Sequence, residues 1–256
     1  MIRAELEKIV VDLTNKKGIV SIEDLMSATN VSKATMRRYI NALDEEKQIV
    51  KIRGGAKAIS ADDASEDEPS LTTKTLLFRE EKCRIAHAAK AFISPGDRIM
   101  LDSGSTTLEL AKAIDKDFSG TVITNDIRIA MALGEHSHLD MLFVGGMIRK
   151  GFYSSYSYFA ESMLNDLIID KLFFSVDAVS PDLNLMSYTI DDINLKKICI
   201  AKANERILLC DHSKFSAKAR FVFEKIDMID TIIVDDGLPP EIQRKLRQLG
   251  KNLLTV

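Results

Sequence analysis

The segment Val31–Leu43, VSKATMRRYINAL, constrains the fold of this chain more than any other stretch. Ser32 is a good N-cap, because its hydroxyl can accept a hydrogen bond from a backbone N–H that has no partner at a helix start. Met36, Ile40 and Leu43 recur at i, i+4 and i+7 and form one apolar stripe. The pattern predicts an amphipathic helix whose apolar stripe packs on a small core.

The polar residues of this helix suit nucleic acid. Its first turn and its outer faces carry small, basic and amide side chains: Lys33, Ala34, Thr35, Arg37, Arg38 and Asn41. Arginine and asparagine pair with base edges in the major groove, and basic and hydroxyl side chains contact phosphates. Considered alone, the same pattern fits an ordinary amphipathic surface helix about equally well.

The flanking residues favour the nucleic-acid interpretation. Ser21–Asp24 forms a capping box that predicts a short helix up to about Thr29. Asn30 can adopt the left-handed conformation that a tight turn needs. Two helices separated by such a turn make a helix-turn-helix. After them, Gln48–Gly55 alternates apolar and basic residues and predicts a small hairpin, a wing, with Lys51 and Arg53 along the phosphate backbone.

The stretch VSKATMRRYINALDEEKQIVKIRGGA resembles the N-terminal winged helix-turn-helix of the DeoR family of bacterial transcriptional regulators. The resemblance rests on the Val31–Ser32 step, Thr35, the Arg37–Arg38 pair, Leu43 and the closing Arg53–Gly55. It implies double-stranded operator DNA as a partner. The residues expected to contact DNA are Ser32, Lys33, Thr35, Arg37, Arg38, Asn41, Lys51 and Arg53. Tyr39 stands where the family usually carries an aspartate, which bears on operator preference.

The distribution of charge predicts the domain boundaries. Residues 32–57 hold seven basic and three acidic residues, whereas residues 61–70 hold five acids and no base. We therefore expect a DNA-binding domain at 1–58, an acidic linker at 59–72 and an α/β effector-sensing domain at 73–256. Three scattered cysteines fit neither a disulfide framework nor a zinc site. With no signal peptide and no apolar run as long as a membrane span, we expect a cytoplasmic protein with no membrane partner.

Short apolar runs alternate with helical patterns over the rest of the chain. The predicted strands are Arg98–Asp102, Thr121–Asn125, Met141–Gly145, Lys171–Val176, Arg206–Cys210, Thr231–Asp235 and Asn252–Val256. The predicted helices are Thr73–Ile93, Thr107–Ile114, Ile127–Leu133, Ile193–Ala203 and Pro240–Leu249. Apolar strands without alternation, separated by helices, indicate a mostly parallel sheet covered on both faces. Ligands bind beyond the carboxyl ends of such strands.

One of these strand ends has the composition of an anion site. Gly104 would let the backbone turn tightly, the hydroxyls of Ser103, Ser105, Thr106 and Thr107 can donate hydrogen bonds, and a helix start offers unpaired N–H groups. No lysine follows the glycine, so this is not a Walker motif and nucleotide hydrolysis is not expected. A capped strand-to-helix turn without any ligand is the alternative.

The family resemblance extends into this second domain. LDSGSTTLELA, Thr124–Asn125, Val144–Arg149 and Asp211–Phe215 resemble the DeoR-type sensor domain, whose fold is similar to ribose-5-phosphate isomerase and whose effectors are typically phosphorylated sugars. The resemblance implies that Ser103, Gly104, Ser105, Thr106 and Thr107 bind the phosphate. It further implies a pocket wall of Asn125, Gly145, Gly146 and Arg149, with Asp177 and Lys214 facing the sugar. We expect His212 to brace the Lys214 loop rather than bind a metal.

Two functions from different classes compete. The first is a transcriptional repressor of carbohydrate metabolism genes, with an operator affinity that a phosphorylated sugar modulates. The alternative is a sugar-phosphate isomerase, which needs a general base held by paired carboxylates and a lysine. Asp177 is followed by Ala-Val-Ser with no second carboxylate, so we predict no catalytic residue. We also expect no metal and no cofactor. Because dimers usually read helix-turn-helix operators, we expect a homo-oligomer, a dimer or a tetramer.

Overall fold

The computed structural model of the chain describes residues 3–52, 54–59 and 68–256. The chain divides into two units, Met1–Arg79 and Glu80–Val256. Residues 60–67 of the predicted linker lie outside the described residues. Within the described ranges, no helix is both long enough and apolar enough to cross a membrane.

The first unit combines helices with a small antiparallel sheet. Its elements are α1 (Arg3–Lys17), β1 (Ile19–Ser21), α2 (Ile22–Thr29), α3 (Lys33–Glu45), β2 (Val50–Ile52), β3 (Gly55–Lys57) and α4 (Leu71–Leu76). The strands lie in the order β1-β3-β2, so the predicted wing hairpin is present and β1 adds a third strand to it. Met36, Ile40 and Leu43 of α3 are buried against residues of α1 and α2, which confirms the predicted stripe.

Local capping interactions set the angle between α2 and α3. The backbone N–H of Asp24 donates to Ser21 Oγ over 3.0 Å at the start of α2. Asn30 ends α2 in the left-handed conformation, with φ 56° and ψ 35°. Ser32 then caps α3 by accepting a hydrogen bond from the Thr35 N–H. These are the helix-turn-helix features that the sequence predicts.

The second unit alternates strands and helices. Its elements are α5 (Arg79–Lys90), β4 (Arg98–Leu101), α6 (Ser105–Ala113), β5 (Gly120–Thr124), α7 (Ile127–Leu133), β6 (Leu139–Phe143), β7 (Met147–Ile148), β8 (Ser155–Tyr156), α8 (Tyr158–Asn165), β9 (Ile169–Phe174), β10 (Ala178–Val179), β11 (Asn184–Ser187), α9 (Ile193–Lys202), β12 (Ala203–Leu209), β13 (Phe221–Lys225), β14 (Thr231–Val234), α10 (Pro240–Gln248) and β15 (Asn252–Thr255).

Seven of these strands form one parallel sheet in the order β15-β14-β12-β9-β4-β5-β6. Neighbouring residues of a strand point to opposite faces. Ile99 and Leu101 therefore pack with α5, α6 and α7, while Met100 packs with α8, α9 and α10 on the other face. Both faces are covered by helices, so the predicted α/β architecture is confirmed, and all seven predicted strands belong to this sheet.

The predicted single helix Thr73–Ile93 is wrong. The structure has α4 and α5 in its place, separated at Phe78, whose φ of 53° lies in the left-handed region that a helix interior cannot contain. The Thr73 hydroxyl donates to the Glu46 carbonyl over 3.1 Å, which joins α4 to the first unit. The chain's contacts accordingly place the division between units after Arg79.

Candidate functional site

The first candidate surface is the outer side of α3 together with the wing. Lys33, Arg37, Asn41 and Lys51 line one concave surface together with residues of α2 and the glycines of the wing turn. All four side chains are exposed to solvent. The Asp44 carboxylate accepts the Lys51 backbone N–H over 2.7 Å and so fixes β2 against α3. Four of the predicted DNA contacts therefore lie together on one basic surface.

The remaining predicted DNA contacts have different surroundings. Arg38 is exposed on the face of α3 opposite its core, and its guanidinium carbon lies 5.9 Å from the Tyr39 ring centroid. Ser32 and Thr35 are joined to each other, with 2.9 Å between their hydroxyl oxygens, so their first role is capping α3. The Lys33 ammonium forms a 2.8 Å ion pair with Glu23. Arg53 lies outside the described residues.

The second candidate site lies at the switch point of the parallel sheet. The chain starts the sheet with β4, adds β5 and β6 on one side, and then adds β9, β12, β14 and β15 on the other. In open parallel sheets, ligands bind beyond the carboxyl ends of the strands where the strand order reverses. The loop Ser103–Thr107 follows β4, and Ser175 and Asp177 follow β9. The predicted phosphate loop is therefore located where this fold type binds ligands.

Gly104 permits a close approach between two strand ends. A Cβ at Gly104 would lie 2.1 Å from Ser175 Oγ, closer than unbonded atoms can stand. The φ of Gly104 is 175°, extended backbone that any residue adopts. The predicted reason for this glycine, a tight turn, is therefore wrong. Its role is to let the loop after β4 pack against the loop after β9.

The hydroxyls of the loop divide into two groups. Ser103 Oγ donates to Asp126 Oδ2 over 3.1 Å, and Thr107 Oγ1 donates to the Gly104 carbonyl over 3.1 Å. These two hydroxyls are used inside the protein, contrary to the predicted role of donating to an anion. In the described part of the chain, the hydroxyls of Ser105 and Thr106 have no hydrogen-bond partner within the protein. The first helical hydrogen bond of α6 joins Leu108 N–H to the Gly104 carbonyl, so the N–H groups just before Leu108 form the open helix start.

A buried ion pair that the sequence interpretation missed lies under this loop. The Lys196 ammonium donates to the Asp102 carboxylate, and it also donates to the Ser175 carbonyl over 3.3 Å. Lys196 is 6% exposed and Asp102 is 3% exposed. Burial raises the pKa of Asp102, although the neighbouring Lys196 opposes this effect. Burial lowers the pKa of Lys196, but Asp102 and Asp192 outweigh burial and raise it above the ordinary value.

Asp192 is the second residue that was missed. Ser187 Oγ donates within 3.2 Å of Asp177 Oδ2 and lies 3.3 Å from Asp192 Oδ1, so one hydroxyl bridges two carboxylates. Asp177 also accepts the Tyr188 N–H over 3.0 Å. Burial raises the pKa of Asp192 to about 6, with added repulsion from Asp102 and Asp177. Lys196 and Arg149 oppose that rise, so all these charges lie within electrostatic range of Asp192.

This cluster corrects one argument made from the sequence. Asp177 has no acidic neighbour in the sequence. The fold nevertheless brings it close to a second carboxylate, that of Asp192 just before α9, and to a lysine, Lys196, on α9. Lys196 follows Ile193 by three residues and precedes Cys199 and Ile200 by three and four, so it occupies an inward position of α9. A lysine at an inward helix position was the available signal.

The predicted pocket walls have unequal roles. Asn125 is fully buried; its Oδ1 accepts the Ser103 N–H over 3.2 Å and its Nδ2 donates to the Ser155 carbonyl over 3.1 Å. Its amide thus joins the loop Ser103–Thr107 to the backbone of β8. Gly145 has open space around it, whereas a Cβ at Gly146 would lie 2.4 Å from the Tyr156 carbonyl oxygen. The Arg149 guanidinium lies 4.0 Å from the Phe152 ring centroid.

Lys214 lies on a short 3₁₀ helix, His212–Phe215. This helix packs against β10, the strand that begins directly after Asp177. Its side chain is half-buried. His212 Nδ1 lies 2.6 Å from Asp235 Oδ2, and the His212 N–H donates to Asp235 Oδ1 over 2.7 Å. The hydrogen bond to Asp235 raises the pKa of His212. His212 therefore ties this loop to the end of β14, which is the bracing role predicted for it.

Comparisons with known proteins agree with this architecture. Residues 7–62 match the DeoR-like helix-turn-helix domain, and residues 78–236 match the DeoR C terminal sensor domain. An uncharacterized HTH-type transcriptional regulator from Haemophilus influenzae is 34% identical over 100% of this chain and 98% of its own. The HTH-type transcriptional regulator IolR from Bacillus subtilis is 30% identical over 88% of each chain.

Solved structures give more distant likenesses. A ribose 5-phosphate isomerase A from Methanocaldococcus jannaschii covers 54% of each chain, with 18% identity and a TM-score of 0.40. The full-length sorbitol operon regulator SorC from Klebsiella pneumoniae covers 84% of this chain and 91% of its own, with 11% identity and a TM-score of 0.37. Likenesses this distant leave the function to be argued from the chain's own residues and its relatives.

A winged helix-turn-helix unit and a doubly wound α/β unit together define a class of protein, the DNA-binding transcriptional regulator with a sensor domain. The chain belongs to the DeoR family of these regulators. It is therefore a regulator and not an isomerase, even though its sensor domain contains paired carboxylates and a lysine.

Proposed function

We propose that this chain represses carbohydrate metabolism genes and that a phosphorylated sugar, bound beside the loop Ser103–Thr107, sets its affinity for operator DNA. The observation that carries the proposal is the place of this loop, with an open helix start at the switch point of a parallel sheet. A relative from Escherichia coli O157:H7, 31% identical over 99% of this chain and 94% of its own, is named provisionally as an aga operon transcriptional repressor.

The phosphate end of the effector is assigned to the start of α6. The open N–H groups there carry the positive end of the helix dipole, and the hydroxyls of Ser105 and Thr106 add donors. Lys214, on the neighbouring loop, supplies a positive charge. Charge-assisted hydrogen bonds are roughly twice as strong as neutral ones, so the loop favours a phosphate over a neutral hydroxyl group. Gly104 and Asn125 hold the loop in shape, and neither needs to touch the ligand.

The sugar end is assigned to the half-buried carboxylates Asp177 and Asp192, which lie at the same edge of the sheet. Ionised carboxylates accept hydrogen bonds and so suit sugar hydroxyls. Arg149 and Gly145, which follow β6 in the chain, are assigned to the wall of the site beside these carboxylates. Lys196 is assigned below the site, where it neutralises Asp102 and so keeps negative charge away from the phosphate.

DNA binding is assigned to α3 and the wing. Arg38 and Asn41 read base edges, while Lys33, Arg37, Lys51 and Arg53 contact phosphates, with two copies of the chain on a two-fold operator. A ligand shifts this equilibrium only as far as its affinity differs between the free and the DNA-bound protein. Release of DNA by the ligand therefore requires weaker ligand binding to the DNA-bound form.

The test of ligand binding is isothermal titration calorimetry with sugar phosphates, their unphosphorylated parents and inorganic phosphate. We expect at least one sugar phosphate to bind, its parent to bind far more weakly, and Thr106→Val to weaken binding. The matched control is Ser119→Ala, because Ser119 is exposed at the amino end of β5, away from the site. Equal affinity for a sugar phosphate and its parent would contradict the phosphate assignment.

A further inference from the structure

A buried lysine lies near the start of α5, and the proposed effector site does not use it. Lys82, Ile85, Ala86 and Ala89 form the buried side of α5, at a spacing that apolar residues normally fill. Lys82 is 2% exposed, and its Nζ lies 4.0 Å from Oδ2 of the fully buried Asp211. This distance suits an ion pair but exceeds that of a hydrogen bond. Among the described residues, Asp211 Oδ2 has no hydrogen-bond partner. We call these two side chains the open pair.

One member of the open pair holds the loop that carries Lys214. Oδ1 of Asp211 accepts the Ser213 N–H over 3.2 Å and so caps the 3₁₀ helix His212–Phe215. Lys214, which we assign to the phosphate of the effector, lies on this helix. The two carboxylate oxygens of Asp211 therefore join two elements, since Oδ1 contacts the 3₁₀ helix and Oδ2 lies towards α5. Any shift of the 3₁₀ helix changes the distance between Oδ2 and the lysine on α5.

The other member of the open pair lies at the start of the second unit. Lys82 follows Arg79, where the division between the units falls, by three residues. Just before that point, the positive φ of Phe78 separates α5 from α4. The Thr73 hydroxyl of α4 donates to the carbonyl of Glu46, the residue that caps the carboxyl end of α3. A short stretch of chain thus leads from the open pair to the helix that we assign to base reading.

The geometry of the open pair gives it two possible arrangements. Removing two charges from water is costly, and their attraction offsets this cost only with good geometry and direct hydrogen bonds. A shift that closes the open pair to hydrogen-bond distance would therefore be favourable. The Lys196–Asp102 pair differs, because its ammonium already donates to the carboxylate. A ligand that stabilises one of two arrangements shifts the balance between them.

We propose that the open pair couples the effector site to DNA binding. When Lys214 binds the phosphate of a sugar phosphate, the 3₁₀ helix shifts, Lys82 and Asp211 close to hydrogen-bond distance, and the start of α5 moves with them. The inference rests on the proposed function, because it needs a phosphorylated effector at Lys214. Lys82 is then a positioning residue that acts through Asp211 and touches neither the ligand nor DNA.

The first test uses the native chain. Amide hydrogen exchange is followed by mass spectrometry with and without the sugar phosphate that binds most tightly in the calorimetric screen. We expect the ligand to slow exchange both in the 3₁₀ helix and at the start of α5, because closing the open pair makes local opening there less frequent. Exchange in α10, which packs on the other face of the sheet, should not change. A bound ligand that leaves the start of α5 unchanged would contradict the proposal.

The second test is the double variant Lys82→Met/Asp211→Asn. It removes both charges, so no unpaired charge stays buried, and asparagine keeps an oxygen that can accept the Ser213 N–H. We expect operator affinity without ligand and sugar-phosphate affinity without DNA to stay within about twofold of the native values. The ligand-dependent shift of operator affinity should fall from about 5- to 150-fold to below about twofold. By linkage, operator DNA should equally lose its effect on sugar-phosphate affinity, which the loss of a merely structural ion pair would not cause.

The matched control is Arg84→Met/Asp236→Asn. Arg84 lies on the same helix, and its 3.1 Å ion pair with Asp236 does not include the 3₁₀ helix. This variant should keep the full ligand-dependent shift. The proposal fails if Lys82→Met/Asp211→Asn couples as strongly as the native chain, or if it folds but no longer binds the sugar phosphate, which would place the open pair in the binding site. A native chain that binds no sugar phosphate would instead overturn the proposed function, and this inference with it.

Discussion

Replacement of Lys196 by methionine tests the buried ion pair beneath the loop Ser103–Thr107. Methionine retains the apolar stem and removes the charge, which leaves Asp102, 3% exposed, without its partner. Breaking a buried pair by removing one member typically costs about 3–5 kcal/mol. In this site Asp192 and Asp177 add repulsion, because Lys196 is also their nearby positive charge.

The cost of Lys196→Met has a limit that depends on pH. The isolated carboxyl can take up a proton, which costs about 1.4 kcal/mol for each pH unit above its unfolded pKa of about 3.9. The share of the loss that comes from Asp102 is therefore limited to about 4 kcal/mol at pH 7 and about 1.5 kcal/mol at pH 5. Asp102→Asn should cost less than Lys196→Met, because Asp192 remains to balance the lysine. The double variant Asp102→Asn/Lys196→Met should recover much of the loss.

The assay is urea unfolding followed by circular dichroism at pH 7 and pH 5, since the chain has no tryptophan to report by fluorescence. The transition of the DNA-binding unit serves as an internal control that should not move. A loss that is equal at both pH values would refute the reasoning, because it would show that lost packing and not an unpaired carboxylate destabilises the variant.

Three further predictions follow from the same structure. Burial raises the pKa of Asp192 to about 6, so between about pH 4 and 6 the native state binds more protons than the unfolded state and the free energy of unfolding falls as pH rises. Asp192→Asn should therefore raise the free energy of unfolding by about 1–3 kcal/mol at pH 7 and leave it unchanged at pH 4, as measured by urea unfolding. Arg38→Ala should lose roughly 1–3 kcal/mol of preference for operator over random DNA, whereas Lys51→Ala should weaken the binding of operator and random DNA alike. An unchanged preference in the Arg38 variant would show that the recognition face is misassigned. With about eight phosphate contacts per dimer, from Lys33, Arg37, Lys51 and Arg53, affinity should fall by roughly three to five decades between about 50 and 200 mM salt, and a nearly flat titration would exclude this docking.

The fold was largely predictable because its signals are local. Each strand of the parallel sheet is a short apolar run, as in Ile99–Leu101 and Ile232–Val234, since strands covered on both faces have no polar side. The helix-turn-helix follows from two capping serines and Asn30, whose preferences need no tertiary context. The single predicted helix across Phe78 failed because helical periodicity continues through a residue whose φ is positive, a conformation that interrupts a helix.

The candidate site was predictable only where one loop carries it. Ser103–Thr107 is contiguous, so its composition alone indicates an anion site, and its place at the carboxyl end of β4 follows from the strand pattern. Asp192 and Lys196 join Asp102 only through tertiary folding, across more than ninety residues in the case of Lys196. The role of Gly104 depends on Ser175, which belongs to a different strand end. Apart from the inward position of Lys196 on α9, the sequence has no spacing that indicates these contacts.

The central claim is that a sugar phosphate at the loop Ser103–Thr107 controls DNA binding, and one titration tests it most directly. Operator duplexes are first enriched from a random library with the native chain. Their affinity is then measured by fluorescence anisotropy with and without sugar phosphate, for the native chain and for Thr106→Val/Lys214→Ala. The account predicts a ligand-dependent shift of about 5- to 150-fold for the native chain, and near-normal operator binding with no ligand response for the double variant. A double variant that still responds, or a native chain whose operator affinity no sugar phosphate changes, would contradict it.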